Sequence, residues 1–453
     1  MTDTQSETGG KMNIERNEIL DKLIQSQNHH LVKFITGIRR CGKSYLLFTI
    51  FRNYLRKKGI DDSHIIAIDL EKDESITLRD PIILGEHIRK LIPHDGQSVY
   101  VLLDEIQLVK KVLPDGIDLS RIHPDDRNDG YVTFYDVLNG LLNTPNVITY
   151  VTGSNAKMLS KDIATQFRGR SEIIHITPLS FREYLSTVPS SQERSTALMD
   201  YFLFGGLPEC VLMGTPDEKR EYLKHLYETI YLQDIINRNK IKNDAVLKAL
   251  ADVIMSGIGG LVNPSKLANT ITTTMRIPTN HVTVANYLDF IEDSFLIQKA
   301  RRYDVKGKRY FDSPSKYYAA DTGIRNIHIA QRQSESPYLM ENVIYSELKR
   351  RGYDVDVGHL ESFSRPHGTT IRSTHEIDFV VNRGYERIYI QSAWMIPDEE
   401  KMAQETFSLK HTGDSFKKVV IDGQLSATYR DNDGICHISL IDFLLNPHSL
   451  ETL

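Results

Sequence analysis

Two glycines, a lysine and a serine stand at phosphate-binding spacing in the segment GIRRCGKS, from Gly37 to Ser44. Glycines let a loop backbone wrap closely around a phosphate, and the N–H groups of such a loop attract the anion. The Lys43 ammonium can then reach the β- and γ-phosphates, and the Ser44 hydroxyl can ligate Mg²⁺. The spacing therefore predicts a site for ATP and Mg²⁺. The predicted nucleotide-binding residues are Gly37, Ile38, Arg39, Arg40, Cys41, Gly42, Lys43, Ser44 and Tyr45.

A second segment, SVYVLLDEI from Ser98 to Ile106, is an apolar run that ends in an acid pair. Open α/β sheets place their ligand chemistry at strand ends. We expect Asp104 to hold the Mg²⁺ shell and Glu105 to orient and polarise the attacking water. Such a run is common by itself, but here it follows the glycine loop with one strand, HIIAIDLE, between them. The two segments together predict ATP hydrolysis, with Lys43 and Glu105 as catalytic residues.

Three further polar residues are candidates for the same chemistry. Asn155 ends the run VITYVTGSN, where it could sense the γ-phosphate or align the water, or could simply cap the next helix. The segment FRGR offers Arg168 and Arg170, and either could stabilise transition-state charge, in the same chain or from a neighbouring subunit. A solvated turn is the alternative for these two arginines.

The elements around the glycine loop support its assignment. LVKFITG, from Leu31 to Gly37, is a short apolar run typical of a buried strand. YLLFTIFRNYLRKKG follows with apolar residues at helical spacing, and Gly59 is a stop signal. This context favours a phosphate loop over a glycine turn before an ordinary helix. The predicted fold class is α/β, with a parallel sheet covered by helices on both faces.

Composition places the chain among soluble globular proteins, with 40% hydrophobic and 25% charged residues. Its 453 residues suffice for about three domains. No apolar run approaches the roughly 20 residues that span a bilayer, and the polar N-terminus lacks a signal core. We therefore expect a cytoplasmic protein without a membrane partner. The three cysteines are far apart, which suggests neither a zinc site nor a disulfide framework.

The middle of the chain contains a pattern of two helices followed by two strands, which is typical of a winged helix. The strands lie in RRYDVKGKRYFDSPSKYYAAD, with a turn at Gly307. Because the net charge is −5, contact with DNA would need a local basic patch. The hairpin supplies one, but acids on the second helix oppose base reading, and a solvated basic turn is equally compatible. The candidate DNA contacts are Arg301, Arg302, Lys306, Lys308 and Arg309.

The C-terminal segments EIDFVV and RIYIQSA follow a helix and a strand, an order that resembles the core of PD-(D/E)XK nucleases. That chemistry needs convergent acids around Mg²⁺ and a lysine. Asp378 fits the first strand, and Glu341 or Glu347 could supply the helix acid. Gln391 stands where the second acid belongs, and alanine stands where the lysine belongs, with Lys401 a substitute only by its nearness in sequence. We therefore expect a vestigial site that does not cleave.

The motifs follow an order that resembles the prokaryotic AAA-type ATPases carrying a C-terminal domain of unknown function. The resemblance covers roughly residues 30 to 422, and the stretch from Lys110 to Tyr131 departs from it as an insertion. It is carried by GIRRCGKS, LLDEIQ, TGSNAKMLS, FRGR and ITPLSFREYL, and then by FGGLPE, YLQDII, NYLDFIEDSFLI, KYYAADTGIRN, EIDFVV and IQSA. The resemblance implies an AAA-like core, a helical and winged-helix middle, and a nuclease-like end.

The expected organisation has five parts. They are a disordered tail (1–18), a P-loop AAA-like ATPase domain (19–178), a helical lid or linker (179–245), a winged-helix-like domain (246–330) and a PD-(D/E)XK-like C-terminal domain (331–453). The expected function is a Mg²⁺-dependent ATPase that acts as a nucleotide-driven switch, with nucleic acid as a candidate target. The alternatives are a DNA- or partner-binding regulator with little turnover, and an ATP-gated nuclease. A homo-oligomer is also expected, because AAA-like ATPases often complete their sites between subunits.

Overall fold

The computed structural model describes residues 14–117, 130–153, 167, 169–328, 336–364 and 371–451. The chain forms two compact units. The N-terminal unit consists of Arg16–Thr177 with Asp293–Phe295, and the C-terminal unit contains Pro178–Glu292 and Leu296–Leu453. In the described residues, no helix combines the length and the apolar character needed to cross a membrane.

The described part of the N-terminal unit contains a five-stranded parallel sheet in the order β2-β3-β4-β1-β5. Its strands are β1 (Val32–Thr36), β2 (Ile65–Asp69), β3 (Val99–Asp104), β4 (Val147–Thr152) and β5 (Ser171–His175). Every residue of β1 and β3 is buried, whereas the edge strands β2 and β5 expose part of one face. Parallel strands covered on both faces are continuous apolar runs, which is what the sequence shows here.

Helices flank this sheet, and local signals explain where they begin. The Asp80 side chain accepts from the N–H groups of Ile82 and Ile83 and so caps one helix, and a Thr133–Asp136 capping box starts another. The helices are Asn17–Ser26, Pro81–Leu91, Phe134–Leu142 and a composite helix of Lys43–Tyr45, the π-helical Leu46–Phe51 and Arg52–Lys57. The predicted α/β class with a parallel sheet is confirmed.

The C-terminal unit is helical in its first half. Glycines at Gly205 and Gly206 interrupt the helices at FGGLPE, where a Cβ on Gly205 would collide with the Asp321 carboxylate. The helices are Phe181–Leu185, Arg194–Phe204, Pro208–Val211, Pro216–His225, Leu226–Tyr231 (π-helical), Leu232–Asn239, Asp244–Ser256, Pro264–Thr274, His281–Asp293, Thr322–His328, Ser336–Arg350, Glu399–Lys410 and Leu440–Leu445.

A nine-stranded mixed sheet runs through this unit, in the order β13-β14-β12-β11-β10-β9-β7-β8-β6 among the described residues. The strands are β6 (Leu261–Val262), β7 (Ile297–Asp304), β8 (Arg309–Ala319), β9 (Asp354–Ser364), β10 (Ile371–Arg383), β11 (Glu386–Ala393), β12 (Lys417–Asp422), β13 (Tyr429–Arg430) and β14 (Cys436–Ser439). The predicted domain boundary at residue 330 lies between β7 and β9, and these two strands pair in parallel. The hairpin β7–β8 and the strands after it therefore share one sheet.

A buried carboxylate joins two motifs of this unit. Asp321 accepts hydrogen bonds from the N–H groups of Gly206, 2.8 Å away, and Ile324, 3.2 Å away. Burial raises the pKa of Asp321 to about 6, although backbone N–H groups oppose that shift by favouring the charged form. The segments FGGLPE and AADTGIRN are thus held together by one side chain.

Candidate functional site

The two predicted motifs meet at one edge of the N-terminal sheet. The phosphate loop follows β1, the Asp104–Glu105 pair ends β3, and Thr152 ends β4, which lies between β1 and β3. Because the strands are parallel, their carboxyl ends share that edge, where open α/β sheets bind ligands. The sheet order therefore assembles residues that are far apart in sequence.

The backbone conformation of the phosphate loop requires glycine at two positions. Gly42 adopts φ 95° at the start of the helix, and a Cβ on Gly37 would collide with the Ile176 carbonyl oxygen. Lys43, which is 4% exposed, donates from Nζ to the Gly37 oxygen at 2.9 Å and to the Ile38 oxygen at 3.0 Å. The lysine ammonium is therefore held inside the loop, next to the helix N-terminus where a phosphate would bind.

A cluster of side-chain oxygens lies beside the loop. Asp104 is 2% exposed, and both the Ser44 and the Thr152 hydroxyls donate to its carboxylate. Burial raises the pKa of Asp104, while the bonds from Ser44 and Thr152 act to lower it. A serine hydroxyl and a carboxylate are hard oxygen donors of the kind that Mg²⁺ prefers. The residues present therefore fit a magnesium ion held through Ser44 and Asp104.

Glu105 has a backbone conformation that is unusual outside glycine. Its φ of 53° and ψ of 49° lie in the left-handed region, which costs roughly 1–3 kcal/mol for such a residue. Its N–H donates to the Thr152 hydroxyl at 3.0 Å, and its carboxylate accepts from the Gln107 side-chain amide. Strained residues held by their neighbours are frequent at catalytic sites, and Glu105 is held in this way.

Thr152 was missed by the sequence analysis. It is fully buried, and its hydroxyl joins the Asp104 carboxylate to the Glu105 backbone. The run VITYVTGSN drew attention to Asn155, three residues later, which lies outside the described residues. Two strands, β2 and β3, separate Thr152 from the loop in sequence, and only the sheet order shows that its strand β4 lies next to β1.

Arg16 was also missed, because the first 18 residues were expected to be a disordered tail. Arg16 is 3% exposed and donates to the Cys41 carbonyl at 2.9 Å and to the Thr177 carbonyl at 2.8 Å. The prediction of the tail was too long, since Asn17 already begins a helix. No local pattern marks Arg16, because its acceptors are 25 and 161 residues away in sequence.

The structure does not bring Arg170 to the loop. Arg170 precedes the amino end of β5, and β5 is parallel to β1, so the arginine lies at the edge of the sheet opposite Lys43. A five-residue strand separates the two edges by about 17 Å. A role for Arg170 on the nucleotide of its own chain is therefore contradicted by the sheet topology. Arg168 lies outside the described residues.

The five cations of the candidate DNA contact lie on or between β7 and β8, and most of them have partners. Arg301 stacks on the Tyr310 ring, with 4.0 Å between the guanidinium and the ring centroid. Four of the cations contact an acid, an imidazole or a carbonyl of the same sheet, so their charge is partly compensated. These partners are Asp356 for Arg301, His359 for Arg302, the Glu361 carbonyl for Lys306 and Asp304 for Arg309. Lys308 is exposed at the turn.

Only some of the acids predicted for a nuclease-like site come together. Glu341 lies with Glu376 around the ammonium of Lys316, which is also within the electrostatic reach of Asp378. Gln391 is placed beside Asp378 by the pairing of β10 with β11. The alternative helix acid and the alternative lysine lie elsewhere. These are Glu347, buried against Arg350 and Arg351, and Lys401, paired with Glu405.

Comparisons with known proteins match the segment of the chain that contains these residues. A family model described as an AAA domain matches residues 29–185, the range that contains the phosphate loop, Asp104 and Thr152. A second model, a domain of unknown function (DUF8612), matches residues 195–335. Residues 29–185 are therefore similar to AAA domains, and the nuclease-like character expected after residue 331 stays a prediction.

An uncharacterised protein of Haemophilus influenzae is 35% identical over 438 residues, which cover 96% of this chain and 99% of that protein. The chain belongs to the same family as that protein. An uncharacterised protein of Methanocaldococcus jannaschii is 27% identical, with coverage of 83% of this chain and 76% of that protein. Among solved structures, the ORC2 protein of Aeropyrum pernix aligns with 72% of this chain and 97% of its own at 13% identity. Its TM-score of 0.36 is too low to support any argument about this chain.

Proposed function

We propose that the N-terminal unit hydrolyses ATP with Mg²⁺ and that the chain works as a nucleotide-driven switch. The observation that carries this proposal is the convergence of Lys43, Ser44, Asp104 and Glu105 at one sheet edge, with Thr152 joining the two acids. These are a phosphate-binding cation, two oxygen donors for a metal and a general base, which together are the parts that phosphoryl transfer to water requires.

Each residue has a distinct part in this reaction. Lys43 binds the β- and γ-phosphates and compensates charge as it moves to the leaving group. Mg²⁺, when bound, neutralises charge on the phosphate oxygens. Glu105 accepts a hydrogen bond from the attacking water and holds it in line with the γ-phosphate. Thr152 keeps the Glu105 backbone and the Asp104 carboxylate in a defined relative position.

The contacts of Arg16 supply a route for the switch. Arg16 connects the Cys41 carbonyl of the phosphate loop to the Thr177 carbonyl, and Thr177 directly precedes Pro178, where the C-terminal unit begins. A rearrangement of the loop on nucleotide binding would therefore act on the segment that joins the units. Such a change is of the kind in which a phosphate contact orders or releases a neighbouring segment.

Nucleotide binding is tested with Lys43→Ala. The protein should bind ATP in the presence of Mg²⁺, and Lys43→Ala should weaken binding at least tenfold by removing the ammonium. Lys57→Ala is the matched control, because Lys57 is an exposed lysine in the last turn of the same composite helix. The measurement is equilibrium titration with a fluorescent ATP analogue. Equal affinity of Lys43→Ala and Lys57→Ala would contradict the proposed site.

A second candidate function is nucleotide-dependent DNA binding through the β7–β8 hairpin. It is supported by the exposure of four cations of this hairpin, which are Arg301, Lys306, Lys308 and Arg309. The two helices and the hairpin that precede residue 320 also follow the order of a winged helix. The test is DNA binding at several salt concentrations, with Arg301, Lys306 and Lys308 changed to alanine. Binding that ignores both salt and the three changes would contradict this function, because phosphate contacts must be salt-dependent.

We propose that the similarity of the C-terminal strands to a nuclease core reflects the ancestry of the fold and not a present activity. In its favour, helix Ser336–Arg350 precedes the antiparallel strands β9, β10 and β11, and a helix then leads to β12, which is parallel to β11. Against cleavage, Gln391 is a neutral amide and Ala393 has no side-chain charge. We infer a fold kept for assembly or recognition. Plasmid cleavage that Asp378→Ala abolishes would contradict this inference.

A further inference from the structure

A row of alternating arginines and aromatic rings crosses the mixed sheet of the C-terminal unit. The Arg301 guanidinium lies 4.0 Å from the centre of the Tyr310 ring, and that ring lies 5.2 Å from the ring of Tyr303, its pairing partner on β7. The Arg387 guanidinium lies 5.0 Å from the centre of the Tyr303 ring and 5.5 Å from that of the Phe416 ring. The row therefore extends from the β7–β8 hairpin to β11 and the residue before β12. We call these five residues the aromatic row.

The two outer rings of the aromatic row are accessible to a ligand. Tyr310 is 47% exposed and Phe416 is 42% exposed, whereas Tyr303 between them is buried. The Tyr310 hydroxyl donates to Asp356 Oδ2 at 2.9 Å, and Arg387 donates to the Tyr303 hydroxyl at 3.2 Å. The Tyr310 ring is therefore held in position while much of its surface stays exposed, and a ligand that stacks on it has little side-chain motion to arrest.

The exposed charges of the hairpin are mostly positive. Residues 301–311 include five cations and one acid. The Arg301 side chain is 59% exposed, whereas its partner Asp356 is 8% exposed. The Arg309 side chain is 74% exposed, whereas its partner Asp304 is 16% exposed. A ligand that approaches this surface therefore meets guanidinium groups before carboxylates, and guanidinium groups favour phosphate as a partner.

Exposed rings that alternate with arginines fit a nucleic acid strand whose bases are unpaired. Such bases can stack on aromatic side chains while the phosphates between them contact cations. In a duplex the faces of the bases are already stacked on one another, so an exposed ring has no base face to contact. The helix before β7, His281–Asp293, also carries Asp289 and Glu292, and acids on that helix oppose its entry into a groove lined by phosphates. The surface therefore favours a single strand over a duplex.

We propose that the aromatic row binds single-stranded nucleic acid, with bases stacked on Tyr310 and Phe416 and phosphates held by Arg301 and Arg387. This inference rests on the second candidate function, DNA binding through the β7–β8 hairpin, and it specifies the kind of nucleic acid. It also adds contacts outside the hairpin, on β11 and before β12. Because every base has a face on which a ring can stack, the surface accepts strands of different sequences.

The test is the fluorescence anisotropy of labelled oligothymidine, oligouridine and a DNA duplex of equal length, each titrated with the full chain in the presence of ATP and Mg²⁺. The parent protein should bind one of the single strands at least about tenfold tighter than the duplex, and the tighter strand shows whether DNA or RNA is preferred. Tyr310→Leu and Phe416→Leu should each weaken that binding at least about fivefold, because one base loses the ring on which it stacks. Tyr310→Phe keeps the ring and should bind like the parent protein.

Tyr385→Leu is the matched control, because Tyr385 is an exposed tyrosine at the turn between β10 and β11, outside the aromatic row. It should bind the single strand like the parent protein. Duplex binding as tight as single-strand binding, or parental affinity of both Tyr310→Leu and Phe416→Leu, would overturn this proposal and leave DNA binding by the hairpin in place. No binding of any of the three probes would contradict both. Self-association of the parent protein that Tyr310→Leu abolishes and the single strand does not disrupt, measured by sedimentation, would assign the row to a contact between copies and would also overturn the proposal.

Discussion

Replacing Thr152 by valine removes one hydroxyl and keeps the shape of the side chain. In the structure that hydroxyl donates to Asp104 and accepts the Glu105 N–H at 3.0 Å, in a fully buried position. Valine leaves both groups without this partner, although Ser44 still donates to Asp104. The change therefore acts on the relation between the two acids without deleting either of them.

The expected magnitude follows from the two lost bonds. A buried polar group left without a partner costs about 1–3 kcal/mol, so Thr152→Val should lower the free energy of unfolding by that amount. The left-handed backbone of Glu105 loses one of the contacts that hold it, and relaxation would move the carboxylate away from the water. A loss of about 1.4–2.7 kcal/mol in the transition state corresponds to a roughly 10- to 100-fold lower kcat.

The assay is steady-state phosphate release, with ATP affinity measured separately. Thr152→Val should lower kcat while ATP affinity changes by less than about threefold, because the Thr152 hydroxyl bonds Asp104 and Glu105 and not the Lys43 ammonium. Thr152→Ser keeps the hydroxyl and should retain most of the activity. If Thr152→Val turns over ATP at the parental rate, or if the serine variant is equally impaired, the bridging role is refuted.

Two further predictions concern other buried groups. Arg16→Met should weaken ATP binding and lower the free energy of unfolding by about 1–3 kcal/mol, because the Cys41 and Thr177 carbonyls lose their donor. Arg16→Lys should have values between those of the parent protein and Arg16→Met. Parental ATP affinity and parental stability of the Arg16→Met protein would contradict this role of Arg16. The folded pKa of Asp321 is raised to about 6, so its contribution to stability is present below about pH 4 and is lost as the pH rises through about 6. Between these pH values, the free energy of unfolding of the parent protein should therefore fall by up to about 3 kcal/mol relative to that of Asp321→Asn. Denaturant unfolding at several pH values measures this difference. Parallel pH profiles of the two proteins would contradict the prediction.

The sequence predicts where the N-terminal motifs lie relative to the strands, because the signals of these motifs are local. The glycine loop, its flanking strand and its helix lie within one short segment, and the Asp104–Glu105 pair is marked by the apolar run before it. Each of these patterns reflects backbone geometry or burial that acts over a few residues. The α/β class and the positions of Lys43 and Asp104 after β1 and at the end of β3 follow from them.

The parts that escaped prediction depend on contacts between distant segments. Thr152 reaches Asp104 across 48 residues, and Arg16 reaches Thr177 across 161. Lys316 on β8 meets Glu376 on β10 although β7 and β9 lie between these strands in the sheet order, whereas the nuclease-like pattern places its lysine at position 393 and offers Lys401 as a substitute. No local pattern encodes such pairings, since they depend on strand order.

The proposed ATP hydrolysis depends on Glu105, which activates water on an ATP molecule held by the phosphate loop. Single-turnover hydrolysis of ATP by the parent protein and by Glu105→Gln tests it most directly, with ATP binding measured on the same samples. The amide cannot act as a base, so Glu105→Gln should bind ATP within about twofold of the parent and hydrolyse it at least about 100-fold more slowly. Equal hydrolysis rates for the two proteins, or no hydrolysis by a parent protein that binds ATP and Mg²⁺, would contradict the claim.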